Sequence, residues 1–526
     1  MTPSGYRCSA LRIAILLGLC AVGEAEQALS VSVEPNFVAA ESTYDLPDVS
    51  RFTVATIRQS IPARGGLVAS VADAADERLL SEAFRRERGD DLRRRQGSDK
   101  AKAYVLRSGV ADLMDLVAGA ADADFATDDR GVVTLRVPLV IGPDATLVID
   151  GKRLSSVRLS TDRGAFIANG GTLYVIDTEV VGWNEAADEP SQFVDKRRFR
   201  PFLASYVRSK TYLAGSRFAH LGYAAPTAYG ISLTTQPERQ HGQPTDESPT
   251  GQIVDCVFEE LYYGFYSFEA QDVAIVGNTY DDSIVYGIDP HDRSTRLVIV
   301  GNTTTGTRER HGIIGSRGIS DSWIVDNTSY ANHGSGVMLD RQCTSNVVAG
   351  NRVYDNGQGI AIYESSDNLL KDNLIVGNAK SAIRIRNSTN LRVINNTFVD
   401  NGDYAVELSA KKLSDHAKRD ARGDLYDVGV AASVVGNASI GNRGFAKATG
   451  LGELLLSGNR LKADLADVER RLGKPMADTD RVSENRKLGG DLRQVAEALS
   501  PAFEAGGKAI RVTGRPLSEM APSSGP

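Results

Sequence analysis

The chain has little of what usually staples a fold or charges it for a partner. Its 526 residues include four Cys and six His, and its formal charge is −7. That balance excludes a global positive field for nucleic acid, so an anionic partner must be met by a local basic patch. The longest apolar run, "IAILLGLCAVG" at 13–23, falls short of the roughly 20 residues a membrane span needs. With Arg7 and Arg12 ahead of it and the small residues of "GEA" at 23–25 behind it, the run reads as a secretory signal cut after Ala25. Cleavage removes Cys8 and Cys20 and leaves Cys256 and Cys343, a pair that in an exported protein invites a disulfide unless their spacing in the fold forbids it.

From about residue 250 a phrase recurs, and no repeat holds a helix-length periodic segment. It reads "AIVGNTY", "VIVGNTT", "WIVDNTS", "VVAGNRV", "LLKDNLI" and "RVINNTF". The aligned Asn278, Asn302, Asn327, Asn351, Asn373 and Asn396 are spaced by 24, 25, 24, 22 and 23. A second marker runs out of phase: Gly264, Gly287, Gly312, Gly336, Gly359, Ala382 and Ala405. Short β-branched runs separated by Asn, Gly, Asp and Ser at this period predict an all-β fold, a right-handed parallel β-helix with coils of 22–25 residues. The L-x-x-L-x-L phrase of a leucine-rich repeat is missing, and a propeller blade needs about 40 residues.

Coils stack about 4.8 Å apart, so equivalent Asn side chains can hydrogen-bond along the stack as an amide ladder. That structural role accounts for the several N-x-[ST] triplets better than glycosylation does. Asp177, Ser216 and Asp255 are expected as earlier rungs, Asn437 and Asn459 as later ones. Insertions interrupt the period near 184–210, 235–251 and 411–427, and such loops usually lean over a binding face. The expected organisation is a signal at 1–25, a partly helical cap at 26–130, the β-helix at 131–460 and a flanking region with short helices at 461–526. Within the cap, "DERLLSEAFRRERGDDLRRRQ" and "GVADLMDLVAGAA" have helical spacing, and "RRRQ" is expected to be a solvated helix face. Cys256 and Cys343 lie about 3.7 coils or roughly 18 Å apart, beyond the reach of a bridge, so both are expected free and buried.

Registering each coil on its marker turns Phe265, Ile288, Ile313, Val337, Ile360, Ile383 and Val406 inward. Alternation sends the second and fourth residues past the marker outward. That strip reads Tyr266 and Phe268, Asp289 and His291, Ile314 and Ser316, Met338 and Asp340, Ala361 and Tyr363, Arg384 and Arg386, then Glu407. Glu269, Asp292, Arg317, Arg341, Glu364 and Asn387 follow each strand. A solvated outer face would tolerate the charges. The gathering of a His, aromatics and four Arg under insertions favours a groove.

Such a groove suits an extended, polyanionic polysaccharide, because guanidinium forks match carboxylates. In a polyuronate the C5 proton lies α to the C6 carboxylate. Removing it needs a base near neutral pH, which His supplies, and a cation to stabilise the enolate-like intermediate. His291 beside Arg317 forms that pair, with Asp289 or Asp292 to orient the imidazole.

The phrase "YGIDPHD", with "DPHDRS", "RERHGIIGSR", "SGVMLDR", "GIAIYESSDNLL", "AIRIRNS", "FRPFLASY" and "YYGFYSFE", resembles the periplasmic mannuronan C5-epimerase family of bacterial alginate biosynthesis, over roughly residues 145–410. The resemblance implies His291 as base, Arg317 as the carboxylate neutraliser, and Asp289, Asp292 and Tyr286 beside them. Water reprotonates the opposite face in the resembled subgroup, whereas secreted relatives give a role to the Tyr matching Tyr286. Substrate contacts are expected from His311, Asp340, Arg341, Tyr363, Glu364, Arg384 and Arg386. The 184–202 insertion corresponds to the family's lid-like segment. No cofactor or metal is expected, since the Gly-Asp-rich nonapeptides of calcium-dependent relatives are missing. The expected partners are polymannuronate and a periplasmic alginate export and modification complex, with no nucleic acid. A polyuronate lyase shares the first chemical step, and a non-catalytic alginate-binding scaffold would share the groove.

Overall fold

The computed structural model describes residues 29–35, 43–74, 77, 82–121, 123–235, 247–413, 424–474, 476, 488–490, 492 and 508–514. The signal segment, most of the 235–251 and 411–427 insertions and most of "DLRQVAEALSPAFEA" at 491–505, one of the short helices expected in the flanking region, lie outside the described residues.

Each coil contributes three short strands, and each strand pairs in parallel with its counterpart one coil away. One column runs through Tyr263–Phe268, Tyr286–His291, Ile313–Ser316, Ser335–Asp340, Gln358–Tyr363, Ile383–Arg386 and Tyr404–Ser409. A second runs through Val273–Val276, Val298–Val300, Trp323–Val325 and Val347–Ala349. A third runs through Thr279–Asp281, Thr303–Thr305, Thr328–Tyr330 and Arg352–Tyr354. The register is the one the markers predict. Phe265 pairs with Ile288, Ile288 with Ile313, Ile313 with Val337, Val337 with Ile360, and so on to Val406. All seven are buried in one continuous core, where each such side chain contributes about 1.5–3 kcal/mol.

The Asn ladder is present. Asn278, Asn302, Asn327, Asn351, Asn373, Asn396, Asn437 and Asn459 hand a side-chain N–H to the next Oδ1 at 2.9–3.0 Å. The same Oδ1 also accepts the backbone N–H of the preceding rung. Two earlier rungs differ from expectation. Thr178 and Cys256 occupy the column, through Thr178 N–H to Ser216 Oγ at 3.2 Å and Cys256 N–H to Asn278 Oδ1 at 2.9 Å. Asp177 and Asp255 sit one residue earlier in left-handed backbone, φ 51° and 52°. Gly277, Gly301, Asp326 and Asp372 hold that position before later rungs, and Gly and Asp adopt it most readily. The Gly markers have a packing reason: a Cβ on Gly312 would fall 2.4 Å from Ser329 Oγ, and one on Gly336 2.4 Å from Val353 Cγ1.

A second ladder joins Asn332, Asn356, Asn378, Asn401 and Asn442 at 2.8–3.1 Å. Cys256 and Cys343 are free and buried, as expected.

The parallel pairing reaches back to Lys102–Asp112, which pairs with Leu139–Asp150. Hence "GVADLMDLVAGAA" is strand through Asp112 and helix only over Leu113–Ala118. Glu82–Gln96 is helical. Arg94 is solvated, but Arg95 donates to the Thr161 carbonyl at 2.9 Å and lies 4.8 Å over Phe199. Residues ahead of this helix do not all gather at one end. Ser30–Pro35 pairs with Lys508–Thr513, which pairs with Glu453–Ser457 at the far end of the cylinder. Tyr44, Val49 and Phe52 then pack on Val298, Val300 and Val325 of the second column, and Ile57 packs beside Val148. The expected helix Leu465–Leu472 packs on the third column at Leu374, Val376 and Val399.

Asn351 is the most informative rung to remove, because its side chain serves Asn327, Ile324 and Asn373 together. Asn351→Ala leaves buried donors and an acceptor unpaired, at about 1–3 kcal/mol each. Urea denaturation should show a markedly lower midpoint, whereas Arg352→Ala, one residue along on the exposed face, should shift it little.

Candidate active site

The first column carries its polar residues on the outward face. Tyr266 pairs with Asp289, and Phe268 with His291. His291 pairs with Ser316 and Ser316 with Asp340, and Asp340 pairs with Tyr363 and Tyr363 with Arg386. Just past each strand the chain turns through left-handed backbone at Glu269, Asp292, Arg317, Arg341, Glu364 and Asn387, with φ between 38° and 62°. Asn and Asp suit that conformation; Arg and Glu are held in it at a cost of order 1–3 kcal/mol each. Backbone bonds fix the corner, as Asp292 N–H donates to Ser316 O at 2.9 Å and Arg317 N–H to Asp340 O at 2.8 Å.

His291 is half-buried, and its Nδ1 is hydrogen-bonded to the Asp292 carboxylate. Burial pushes the Asp292 pKa up, but the His291 bond, with Arg317 and Arg293 nearby, outweighs it and holds that group below its ordinary value. An ionised Asp292 makes Nδ1 the donor, which leaves the Nε2 lone pair of neutral His291 free. Burial depresses the imidazole pKa, and the Asp292 bond with the fields of Asp289 and Asp292 more than compensates, so the net shift is upward. Asp289 faces outward in register yet is buried at 1% exposure, with Oδ1 unpartnered. Burial pushes its pKa up to about 7, despite the opposing pull of His291.

The opposite rim lies one residue before each marker: Tyr263, Tyr286 and His311. Tyr286 meets Tyr263 edge-on at 5.0 Å and stacks on His311 at 5.8 Å. Burial, foremost, raises the Tyr286 pKa, so the phenol is a donor near neutral pH. His311 Nδ1 accepts the Ser335 N–H at 2.8 Å. Burial, with Arg310 and His333, lowers its pKa to about 4, which leaves a neutral ring with its proton on Nε2. Tyr286 and His291 stand at the two ends of a strand about 17 Å long, and the groove runs between them. Its floor beyond Asp289 is apolar: Ile314, Met338 and Ala361 form one cluster that touches Tyr286 and Tyr363.

On the corner side, Arg317 Nη2 donates to Asp424 Oδ2 at 3.2 Å, and its buried Nε has no partner. Arg341 binds Asp340 at 2.7 Å and reaches the same Asp424 oxygen at 3.4 Å. Arg386 grips Glu364 with two bonds, 2.7 and 3.0 Å, and lies 3.9 Å over the Tyr363 ring. Arg384 lies 3.7 Å from Glu407. The first insertion flanks the aromatic rim: Phe193 stacks on Tyr262 at 6.1 Å. Its buried Arg200 is anchored to the Glu260 carbonyl at 2.8 Å.

Residues 298–413 match the family model described as right handed beta helix region. The mannuronan C5-epimerase of Pseudomonas putida is 40% identical over 400 residues, 74% of this chain and 75% of that protein. The mannuronan C5-epimerase AlgG of Azotobacter vinelandii is 41% identical over 401 residues, 76% of this chain and 75% of that protein. A crystal structure of the periplasmic alginate epimerase AlgG superposes with a TM-score of 0.73 at 33% identity, over 79% of this chain and 96% of that one.

The chain belongs to the mannuronan C5-epimerase family.

In this mannuronan C5-epimerase family member, the sequence-derived candidates fall into three groups. Asp289, His291, Asp292 and Arg317 cluster on adjoining coils, while Tyr286 stands across the groove with His311 on the opposite rim. Asp340 and Arg341 extend the corner one coil further. Tyr363, Glu364, Arg384 and Arg386 lie beyond, where Arg386 and Glu364 neutralise each other. Two contributors were missed. The rim Tyr263 was legible one residue before the Gly264 marker. Asp424 was not, because it lies on an insertion that breaks the register.

If the Asp292 carboxylate raises the His291 pKa, Asp292→Asn removes that support and leaves desolvation to dominate. The imidazole midpoint, followed by NMR of labelled histidine, should then fall relative to the unsubstituted protein. An unchanged or higher midpoint contradicts the electrostatic assignment.

Proposed function

We propose that the protein is a polymer-level isomerase that converts β-D-mannuronate to α-L-guluronate residues within alginate. The reading rests on one juxtaposition: an imidazole with its free Nε2 lone pair toward the groove, beside a guanidinium on the next coil. Membership in the mannuronan C5-epimerase family supports it.

In this reading the uronate carboxylate at C6 meets Arg317, which lowers the energy of the enolate-like intermediate. Nε2 of His291 removes the C5 proton, and Asp292 stabilises the imidazolium that forms. Reprotonation comes from the other rim, where Tyr286 and His311 present donors to the opposite face of the sugar. Either water held there or the Tyr286 phenol delivers the proton. Asp289, buried beneath, keeps the imidazole charge favourable. The apolar floor of Ile314, Met338 and Ala361 offers a surface for the pyranose ring. Asp340, Arg341, Tyr363, Glu364, Arg384 and Arg386 carry the polymer along the axis. The location proposed is the periplasm after removal of residues 1–25, in company with an alginate export and modification complex. The described flanking elements Ser30–Pro35, Glu82–Gln96, Leu465–Leu472 and Lys508–Thr513 serve to brace the cylinder.

Incubation with polymannuronate tests this. Guluronate signals by proton NMR at constant chain length are the expected result. New unsaturated, ultraviolet-absorbing ends would identify a lyase, and binding without change in the polymer a scaffold. His291→Asn should lower the rate roughly 10²–10⁴-fold with the fold intact. Arg317→Lys retains charge but loses the fork and should lower kcat/KM about 10²-fold or more. Near-normal rates in either purified variant reject the role assigned to that residue.

A further inference from the structure

The assigned carboxylate-binding Arg317 is not empty-handed. Asp424 lies 107 residues further along, at the returning end of the third insertion. It is 5% exposed, and its Oδ2 accepts from Arg317 Nη2 at 3.2 Å and from Arg341 Nη1 at 3.4 Å. These arginines occupy the same corner position on successive coils. The base of the insertion is tied by Leu413 N–H donating to Tyr426 Oη at 2.8 Å, and Gln342 Nε2 donates to the Leu425 carbonyl at 3.0 Å. Asp424 is thus presented to both guanidinium groups by neighbours that are themselves held.

A resident carboxylate and a uronate carboxylate ask the same thing of a guanidinium. While Asp424 is bound, Arg317 is already partly neutralised and is a weaker partner for charge developing on substrate. Arg317 is half-buried, with its side chain 30% exposed, and a charge partly withdrawn from water gains from a close counter-charge, which favours the Asp424 contact in the free protein. We infer that Asp424 occupies the uronate-carboxylate subsite of the free protein, and that polymannuronate binds by displacing it from Arg317. The inference rests on the reading of Arg317 as the carboxylate-binding group. It adds an exchange step to binding: the C6 carboxylate takes over the Arg317 contact, and Asp424 retains Arg341 or turns to solvent.

The test is calorimetric binding of a short oligomannuronate in the His291→Asn background, where substrate is not turned over. Adding Asp424→Asn removes the competing charge and should tighten Kd roughly three- to tenfold, while Asp424→Glu should stay close to the parent. Gln342→Ala, which frees the Leu425 carbonyl and spares all three charges, should tighten Kd in the same direction by a smaller factor. It provides a readout even if Asp424→Asn folds poorly. Unchanged or weaker binding in these variants overturns the exchange. Arg317→Ala in the same background separates the two levels. If it weakens binding while the Asp424 and Gln342 variants do nothing, the exchange alone is wrong. If it has no effect, the reading of the site falls and the exchange with it.

Discussion

Asn302 donates its side-chain amide to the Ile275 carbonyl and to Asn327 Oδ1, while its own Oδ1 accepts the backbone and side-chain N–H of Asn278. That exchange, repeated rung by rung in a fully buried column, sets the axial position of every coil relative to its neighbours. A one-residue slip would break the paired amides and turn the apolar column from Phe265 to Val406 outward. With register pinned, the first strand column presents the same outward positions at each level. The groove is therefore a consequence of the ladder: His291 lies level with Ser316 and beside Arg317 because Asn278, Asn302 and Asn327 are locked together.

The chemistry sits where the fold is least regular. At the corner after each strand the backbone turns left-handed, and the chain places Asp292, Arg317 and Arg341 there. A side chain at such a corner leaves a rigid stack yet escapes the alternation of the strand. This lets Asp292 reach the imidazole of the residue just before it and lets Arg317 approach from the next coil. The opposite rim is built differently, from rings in contact: Tyr286 meets Tyr263 edge-on and stacks on His311. One side of the groove supplies charge and a base, and the other supplies neutral donors, an arrangement suited to taking a proton from one face of a sugar and returning one to the other.

Much of this was legible because a β-helix converts sequence period into position. Two markers sufficed to set which residues of "YGIDPHD" point outward and to bring Arg317 beside His291. The second ladder, from Asn332 to Asn442, carried the same periodic signal and was readable by the same means. Alternation says which way a side chain points and nothing of what covers it, so the burial of Asp289 was not legible. Nor was the mutual neutralisation of Arg386 and Glu364, which depends on rotamers between adjacent coils. Asp424 lay further out of reach: an insertion has no register, and only the folded chain brings it 3.2 Å from Arg317. The N-terminal segment followed suit, with Tyr44 and Phe52 packed along the cylinder through contacts that no local pattern announces.

The central claim is that His291 takes the C5 proton from one face and that a different, solvent-exchangeable donor serves the other. Epimerisation of polymannuronate in deuterium oxide reads this directly. The account predicts deuterium at C5 of every newly formed guluronate residue. Guluronate that keeps its original C5 hydrogen would contradict the account, because it would mean that a single shielded group both removes and returns the same atom.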